Sequence, residues 1–360
     1  MPAATPTRQI DLVFSDWRPL RHVDDPLHKD LSAVALVGDT LFVACDETAS
    51  VERLRRTGDG SFGDHKHVPL DDLVRLPAGG DGEMDIEGLC ASDGYLWILG
   101  SHAAKRCKPE VEKHGREKAM KRMRATEREP NRSFLGRVPL VEEGAGLWRL
   151  VEADGDRRAA WLKVGRRRSR LLRWIAEDDH LAPFLDIPSK ENGFDAEGLA
   201  VRGDRVWVGL RGPVLRGHAV VLDLQLTEGR KGHLKGRRVD GARHFHKHLI
   251  DTRGLGIRDM RLCGDDMLLL VGPTMSLDGQ AYVIRWRGVT EDDASGVVPP
   301  DRIEVLAELP YEHDTDHPEG LDLWPDPERR SLIVLYDAPG PERADPDRFT
   351  VKADVFTLPA

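Results

Sequence analysis

Short apolar runs recur along the chain in pairs, and a Gly/Asp turn separates the two members of each pair. Five such segments align with one another, and they begin at Asp30, Asp85, Asp195, Asp251 and His317. The second reads DIEGLCASDGYLWILG and the third reads DAEGLAVRGDRVWVGL. Gly and Asp tolerate the positive φ angles that tight turns require, so each segment predicts a β-hairpin.

Further strand-like runs lie between the hairpins, among them SVERLRR, SFLGRVPL, HAVVLDLQL and QAYVIRW. Four strands per repeat are typical of a β-propeller blade. We therefore predict an all-β chain that folds as a single β-propeller domain over residues 1–360. The alternatives are an open β-sandwich or two separate β-domains.

The spacing of the five segments leaves the number of blades open. The intervals are 55, 110, 56 and 66 residues, and 110 is twice 55. A blade near residue 140 that lacks the motif would make six blades, which is the count we favour, whereas a long insertion in the second blade would leave five. The strand-like runs RQIDLVF and ADVFTL at the two ends can share one blade, which would close the ring and remove exposed edges.

Two segments depart from the strand pattern. Residues 105–132 combine helix formers and charges of both signs with almost no large apolar residue, which predicts a basic helical insertion within blade 2. Residues 167–184 contain Leu171, Leu172, Trp174 and Ile175 at helical spacing, behind a serine that can cap a helix. This second segment predicts a short docked helix.

Two columns of polar residues run through the aligned segments, two positions apart. Residues i and i+2 of a strand share a face, and the innermost strand of each blade lines the axial channel, so the columns are expected to meet around the axis. The first column contains Asp30, Asp85, Asp195, Asp251 and His317, and the second contains Ser32, Glu87, Glu197, Arg253 and Glu319.

A third column follows the second strand of each hairpin, where an antiparallel return brings the chain back beside the first two columns. Asp46 and Arg211 lie fourteen residues after Ser32 and Glu197, respectively, and Asp337 ends the fifth hairpin. His102 lies at the corresponding end of the second hairpin. All four residues are therefore expected to lie at the same mouth of the channel.

Crowded carboxylates repel one another and are costly to bury unless they are paired or bind a metal. Oxygen-rich sites favour hard cations, so we expect a divalent ion, Ca²⁺ before Mg²⁺ or Mn²⁺. The recurring Asp residues could instead serve blade turns and backbone hydrogen bonds. The candidate metal ligands are Glu87, Glu197, Glu319, Asp46 and Asp337. The candidate catalytic residues are Asp85, Asp195 and His102 as general bases, with Arg211 and Arg253 stabilising anionic charge.

The net charge of −9 conceals an uneven distribution. Residues 105–173 hold 21 basic and 10 acidic side chains, a net of +11, so the rest of the chain carries −20. A long nucleic acid or a membrane is therefore not the expected partner, whereas a basic rim beside an acidic channel favours a small anionic, phosphate-bearing ligand. Four widely spaced cysteines and an N-terminus without a signal-peptide pattern predict a cytoplasmic protein.

The segments DIEGL, IPSKENGFDAEGLAV, VGLRGP and HPEGLDL resemble the domain of unknown function 3616 family over most of residues 25–340, and also the related phytase-like propellers with esterase activity. That resemblance implies a propeller fold. The Glu-Gly pairs are more distantly similar to the metal-ligand motif of gluconolactonases, which implies metal ligation by Glu87, Glu197 and Glu319. Leu89, Leu199 and Leu321 stand where that family commonly has proline.

Two functions from different classes follow. The first is a metal-dependent hydrolase of phosphoesters or related esters, with its site in the acidic channel. The second is a non-catalytic propeller scaffold that binds a protein or an anionic ligand.

Overall fold

Twenty strands form five four-stranded antiparallel sheets in the computed structural model, which describes residues 3–20, 23, 25–58, 60–165, 168–326 and 330–359. The innermost strands of the five sheets contact one another in sequence, and the last contacts the first. The sheets are therefore the blades of a closed β-propeller, as the repeated hairpins predict.

The first strand of the chain, β1 (Arg8–Val13), belongs to the last blade. The other strands run from the axis outwards within each blade. Blade 1 contains β2 (Leu31–Val37), β3 (Thr40–Cys45), β4 (Ser50–Arg56) and β5 (Phe62–Pro69). Blade 2 contains β6 (Ile86–Ser92), β7 (Tyr95–Gly100), β8 (Leu135–Gly144) and β9 (Ala160–Leu162). Blade 3 contains β10 (Asp195–Arg202), β11 (Arg205–Leu215), β12 (His218–Glu228) and β13 (Phe245–Asp251). Blade 4 contains β14 (Gly256–Cys263), β15 (Asp266–Gly272), β16 (Tyr282–Trp286) and β17 (Ile303–Glu308). Blade 5 contains β18 (His317–Trp324), β19 (Ser331–Asp337) and β20 (Thr350–Thr357), followed by β1.

The two ends of the chain close the ring. Strand β1 pairs antiparallel with β20, with Leu12 opposite Val351, and so becomes the outermost strand of blade 5. Leu12 also pairs with Phe62 of β5 in the neighbouring blade. This confirms the prediction that the terminal strand-like runs share one blade.

Of the two blade counts left open by the sequence, five is the one observed, and the preference for six is wrong. Residue 140 lies in β8, the third strand of blade 2, and the described residues form no sixth blade. The 110-residue interval is long because extra segments lie between β7 and β8 and between β9 and β10. Its near equality to two repeats is a coincidence of insertion lengths.

Both extra segments contain short helices. The segment between β7 and β8 holds α1 (Val111–His114) and α2 (Arg116–Arg122), enclosed by a small hairpin of Lys105–Arg106 and Thr126–Glu127. Helix α3 (Arg170–Ile175) is shorter than the segment 167–184, and Arg167 lies outside the described residues. The remaining short strands are Leu147–Leu150, Ala153–Asp154, Arg157–Arg158, His233–Gly236, Gly296–Val297 and Ala344–Asp345. The 3₁₀ turns are Leu27–Lys29, Leu70–Asp72, Asn131–Ser133, Ala182–Phe184, Ser189–Glu191, Val289–Glu291 and Pro300–Arg302.

The core lies between the faces of neighbouring blades. Phe42 of blade 1 packs in one cluster with Leu96 and Ile98 of blade 2, and Trp207 of blade 3 packs with Trp286 of blade 4. The second strand is almost entirely buried in blades 1, 2, 4 and 5, and residues 206–210 are buried in the longer second strand of blade 3, which explains the unbroken apolar run in each sequence. This packing holds the five innermost strands in place around the axis.

Candidate functional site

Every innermost strand carries a β-bulge at the same point, and the bulged residue belongs to the polar columns. A bulge leaves one residue outside the regular ladder and re-aims its side chain. Glu87 lies between Ile86 and Gly88, which pair with consecutive residues of β7, and the other four strands repeat this irregularity. The five bulged residues are Ser32, Glu87, Glu197, Arg258 and Glu319.

Arg258, and not Arg253, is the member of this column from blade 4. Arg253 is exposed, precedes β14, and its backbone N–H donates to Asp251 Oδ1 at 3.0 Å. The DTRGL segment is similar in sequence to the motif, but it forms a connection between blades, in which Arg253 and Gly254 have positive φ angles. The candidate role of Arg253 in the channel is therefore wrong, and Arg258 occupies the position instead.

The glycine after each bulged glutamate allows neighbouring blades to approach closely. A Cβ atom on Gly88 would lie 2.7 Å from Leu199 Cβ and 3.1 Å from the Glu197 carbonyl oxygen. Distances this short are incompatible with a side chain on Gly88 unless the blades move apart. The Glu-Gly pair thus combines a channel-facing carboxylate with tight packing behind it.

Three carboxylates gather where blades 1 and 2 meet. Asp46, Asp85 and Glu87 each offer an oxygen atom, and these three atoms lie within 4.8 Å of one another. Asp46 follows β3, and the Asp85 backbone N–H donates to its carbonyl oxygen at 3.0 Å. Asp46 Oδ1 is buried without a hydrogen-bond partner among the described residues. Oxygen atoms at this spacing can serve as ligands to one hard cation.

The surroundings of this cluster disfavour negative charge. Burial, followed by repulsion from Asp30, raises the pKa of Asp46 well above its usual value. Burial, followed by repulsion from Asp46, does the same for the pKa of Glu87. The pKa of Asp337 is raised by burial and by Glu319, and burial raises the pKa of Asp30 to about 7. A cation would relieve this accumulated repulsion.

The other two glutamates of the column are already paired with arginines. Glu197 lies 2.8 Å from Arg211 Nε and 3.1 Å from Arg258 Nη1. Glu319 lies 2.7 Å from Arg258 Nη2. Asp195 lies 2.6 Å from Arg211 Nη2. These contacts define an arginine-neutralised side of the channel around Arg211 and Arg258. The carboxylates of blades 1 and 2, together with Asp337 beside Asp30, form a carboxylate-rich side.

Arginines do not balance the charge of the whole ring. Within the described residues, the eight carboxyl groups of the polar columns and hairpin ends face three guanidinium groups, an excess of five acids, and Asp25 and Glu47 add repulsion at Asp30. Among the residues that the structure describes, Arg132 is the one arginine on the carboxylate-rich side; it lies 2.8 Å from Asp85 and also contacts Glu83. The acids are Asp30, Asp46, Asp85, Glu87, Asp195, Glu197, Glu319 and Asp337, and the arginines are Arg132, Arg211 and Arg258.

His102 lies apart from these groups. Its side chain is completely buried, and Nδ1 lies 2.8 Å from the Gly100 carbonyl oxygen, to which it can donate. Burial lowers the pKa of His102 to about 4, which keeps the imidazole neutral. In the described part of the chain, no contact joins His102 to the carboxylates. The structure thus brings together every sequence-predicted site residue except His102 and Arg253.

A second buried network lies deeper in the channel, and it involves none of the residues of the polar columns. Arg261 of blade 4 donates to the Leu199 carbonyl of blade 3 at 2.9 Å and to Asp322 of blade 5 at 3.0 Å. It also donates to the Val34 carbonyl of blade 1. Its side chain therefore crosses the axis and ties four blades together. Neither Arg261 nor Arg132 could be found from the repeat, because each depends on contacts between distant segments.

The fold and the site together define a class: a five-bladed β-propeller with a carboxylate-rich centre at one side of its axial channel. Residues 30–354 match the family described as protein of unknown function (DUF3616), and the chain belongs to that family.

The chain also shows distant similarity to solved structures. The PQQ-bound aldose sugar dehydrogenase from Streptomyces coelicolor is 12% identical, with 98% of this chain and 100% of that chain covered and a TM-score of 0.39. The GH43 endo-arabinanase from Bacillus licheniformis is 11% identical, with 93% and 94% covered and a TM-score of 0.38. Similarity at this level does not indicate a shared substrate or reaction. No curated protein matches the chain significantly.

Proposed function

We propose that this protein is a divalent-metal-dependent hydrolase of phosphoesters or related esters, with its centre at Asp46, Asp85 and Glu87. The observation that carries the proposal is the meeting of three carboxylate oxygens within 4.8 Å of one another, on the side of the channel where acids outnumber arginines. The resemblance of the DxEGL strands to phytase-like propellers with esterase activity supports the same class of reaction.

The donor set fits a hard cation. All three groups are carboxylates, and neither a thiolate nor an imidazole belongs to the cluster, which disfavours zinc. Ca²⁺ is favoured over Mg²⁺ and Mn²⁺ because Asp30 and Asp337 offer further carboxyl oxygens nearby, and Ca²⁺ accepts more oxygen ligands in looser geometry. Arg132, which forms an ion pair with Asp85, would orient that carboxylate.

A bound divalent ion would polarise an ester or phosphoryl oxygen and make a bound water more acidic. The neighbouring side chains supply the remaining functions. Asp195 is the proposed general base, because its pKa is raised by burial and by Asp85, which brings a carboxylate closer to the working pH of such a base. Arg211 holds Asp195 in position through its 2.6 Å contact.

Metal dependence and turnover can be tested together on the purified protein. The protein is stripped of metal with a chelator and then titrated with Ca²⁺, Mg²⁺ or Mn²⁺, while its melting temperature and its hydrolysis of bis-p-nitrophenyl phosphate and p-nitrophenyl acetate are recorded. We expect stoichiometric binding, a higher melting temperature and metal-dependent hydrolysis. No binding and no change in melting temperature would rule out the metal centre.

A non-catalytic scaffold is the second candidate, and one observation favours it. Arg211 and Arg258 neutralise Asp195, Glu197 and Glu319 within the channel, which is how a purely structural polar core is built. A metal that stabilises the protein without turnover of any ester in the panel would support this candidate.

A further inference from the structure

A second cavity lies far from the axis, at the seam between blades 2 and 3. Strand β9 of blade 2 pairs in parallel with the short strand His233–Gly236, which in turn pairs with β12 of blade 3. Next to this junction is a cavity of about 350 Å³, with α3 on one side. We call it the seam pocket. Three strand spacings separate the outer strand of a blade from its inner strand, a distance of about 14 Å, so the seam pocket is distinct from the channel site.

The lining of the seam pocket is strongly basic and contains no acidic residue. Four permanent cations line it, together with His233 and His244. All four are exposed, and within the described residues none of their charged groups has an ion pair or a hydrogen bond. The four cations are Lys163, Arg170, Arg230 and Lys235.

Three cations just outside the pocket are paired. Arg168 lies 3.0 Å from Asp186, Lys247 lies 2.6 Å from Asp178, and Arg137 lies 3.3 Å from Glu228. The cavity thus gathers four unpaired cations, although the chain as a whole is acidic. Four like charges around one concavity generate a positive potential that an anion would neutralise.

One wall of the pocket is rigid and aromatic. The Trp174 side chain is 7% exposed and stacks on His244, with ring centroids 4.5 Å apart and planes inclined by 20°. Gly236 makes room for the indole, because a Cβ atom there would lie 2.3 Å from the ring. The pocket therefore combines a packed aromatic wall with exposed cationic side chains.

We propose that the seam pocket binds a small ligand carrying two phosphate groups, such as a diphosphate or bisphosphate metabolite. Each phosphate monoester carries about −1.5 to −2 charges at neutral pH, so two phosphates match four cations. Arginine binds phosphate oxygens in bidentate geometry and lysine adds a point charge. The volume lies within the range of small-molecule sites, roughly 300 to 1,000 Å³, and suits an enclosed ligand better than a nucleic-acid strand.

The test is calorimetric titration of the full-length protein with inorganic pyrophosphate. Arg170→Ala and Lys235→Ala each remove one exposed cation of the pocket, and each is expected to weaken binding by about tenfold or more, as the loss of a charged hydrogen bond predicts. Arg173→Ala is the matched control, because Arg173 lies on the same helix, is also exposed and does not line the cavity. It should leave the affinity unchanged, as should Glu87→Gln in the channel.

Three results would overturn the proposal. Pyrophosphate could fail to bind the wild-type protein, or binding could fall in Glu87→Gln and not in the pocket variants, which would place it in the channel. Alternatively, a 20-nucleotide single strand could bind more tightly than pyrophosphate and lose affinity equally in Arg170→Ala and Arg173→Ala. That pattern would indicate an extended nucleic-acid surface.

Discussion

Arg258 Nη2 lies 2.7 Å from a carboxylate oxygen of Glu319, and this ion pair joins the innermost strands of blades 4 and 5. The same guanidinium reaches Glu197 of blade 3 at 3.1 Å. One side chain thus neutralises carboxylates from two other blades at the axis. Because both glutamates are buried and the Arg258 side chain is only 11% exposed, their charges depend on one another.

Replacing Arg258 should destabilise the protein substantially. Arg258→Met leaves two buried carboxylates without this partner, and breaking a buried pair by removing one member costs about 3–5 kcal/mol. Urea denaturation followed by circular dichroism measures the free energy of unfolding. Arg253→Met is the matched control: Arg253 is exposed, so its replacement should change that free energy by less than about 0.5 kcal/mol. Equal effects of the two substitutions would contradict the assignment of Arg258 to the channel.

Metal affinity should distinguish the glutamates of the column. Glu87→Gln removes a proposed ligand and should weaken binding of Ca²⁺ by about two orders of magnitude or more. Glu197→Gln should weaken it by less than about tenfold, because Arg211 and Arg258 already engage that carboxylate. Calorimetric titration of the two variants measures both effects. A larger loss in Glu197→Gln would move the centre to the arginine side of the channel.

The metal-free protein should lose stability as the pH rises from about 6.5 to 8.5. The folded-state pKa values of Asp30 and Glu197 are raised to about 7 and about 8, above those of unfolded carboxyl groups. Such groups stabilise the fold fully below the unfolded carboxyl pKa of about 4, and this contribution is lost progressively until the folded groups have ionised, so Glu197 still contributes to the loss above pH 6.5. His102, with its pKa lowered to about 4, acts in the opposite direction only below about pH 6.5, outside this window.

A bound cation should reduce that loss, because the ion takes the place of the protons. Chemical denaturation at several pH values, with Ca²⁺ and with a chelator, separates the two cases. His67, whose pKa is raised by its hydrogen bond to Glu52 in blade 1, contributes equally to both series. A pH dependence that is identical with and without metal would argue against ion binding at these carboxylates.

Gly88→Ala should weaken the contact between blades 2 and 3. The new methyl group would lie 2.7 Å from Leu199 Cβ, and overpacking of this kind costs about 1–3 kcal/mol. Gly296→Ala is the control, since a Cβ atom there meets no other atom within 4 Å. Thermal melting of both variants measures the difference. An unchanged melting temperature for Gly88→Ala would show that the blades can separate at little cost.

Much of this architecture could be predicted from the amino-acid sequence alone. Hairpins depend on local alternation and on turn residues, so DIEGLCASDGYLWILG predicted a strand pair that the structure confirms as β6 and β7. The acidic column could also be predicted, because Glu87, Glu197 and Glu319 recur at one position of the repeat. The prediction from the DTRGL segment was wrong because similarity to the motif does not show where a strand begins. The innermost strand of blade 4 begins at Gly256.

The division of the carboxylates into paired and unpaired groups was decided only when the blades closed into a ring. Glu87 and Glu197 occupy equivalent positions in nearly identical motifs, yet Glu87 meets Asp46 and Asp85 whereas Glu197 meets Arg211 and Arg258. Asp46 and Arg258 come from neighbouring blades, and Arg211 comes from the adjacent strand of the same blade. The local sequence therefore determined which side chains face the axis, and the tertiary structure decided their charges, because electrostatic energy depends on distances across the channel rather than along the chain.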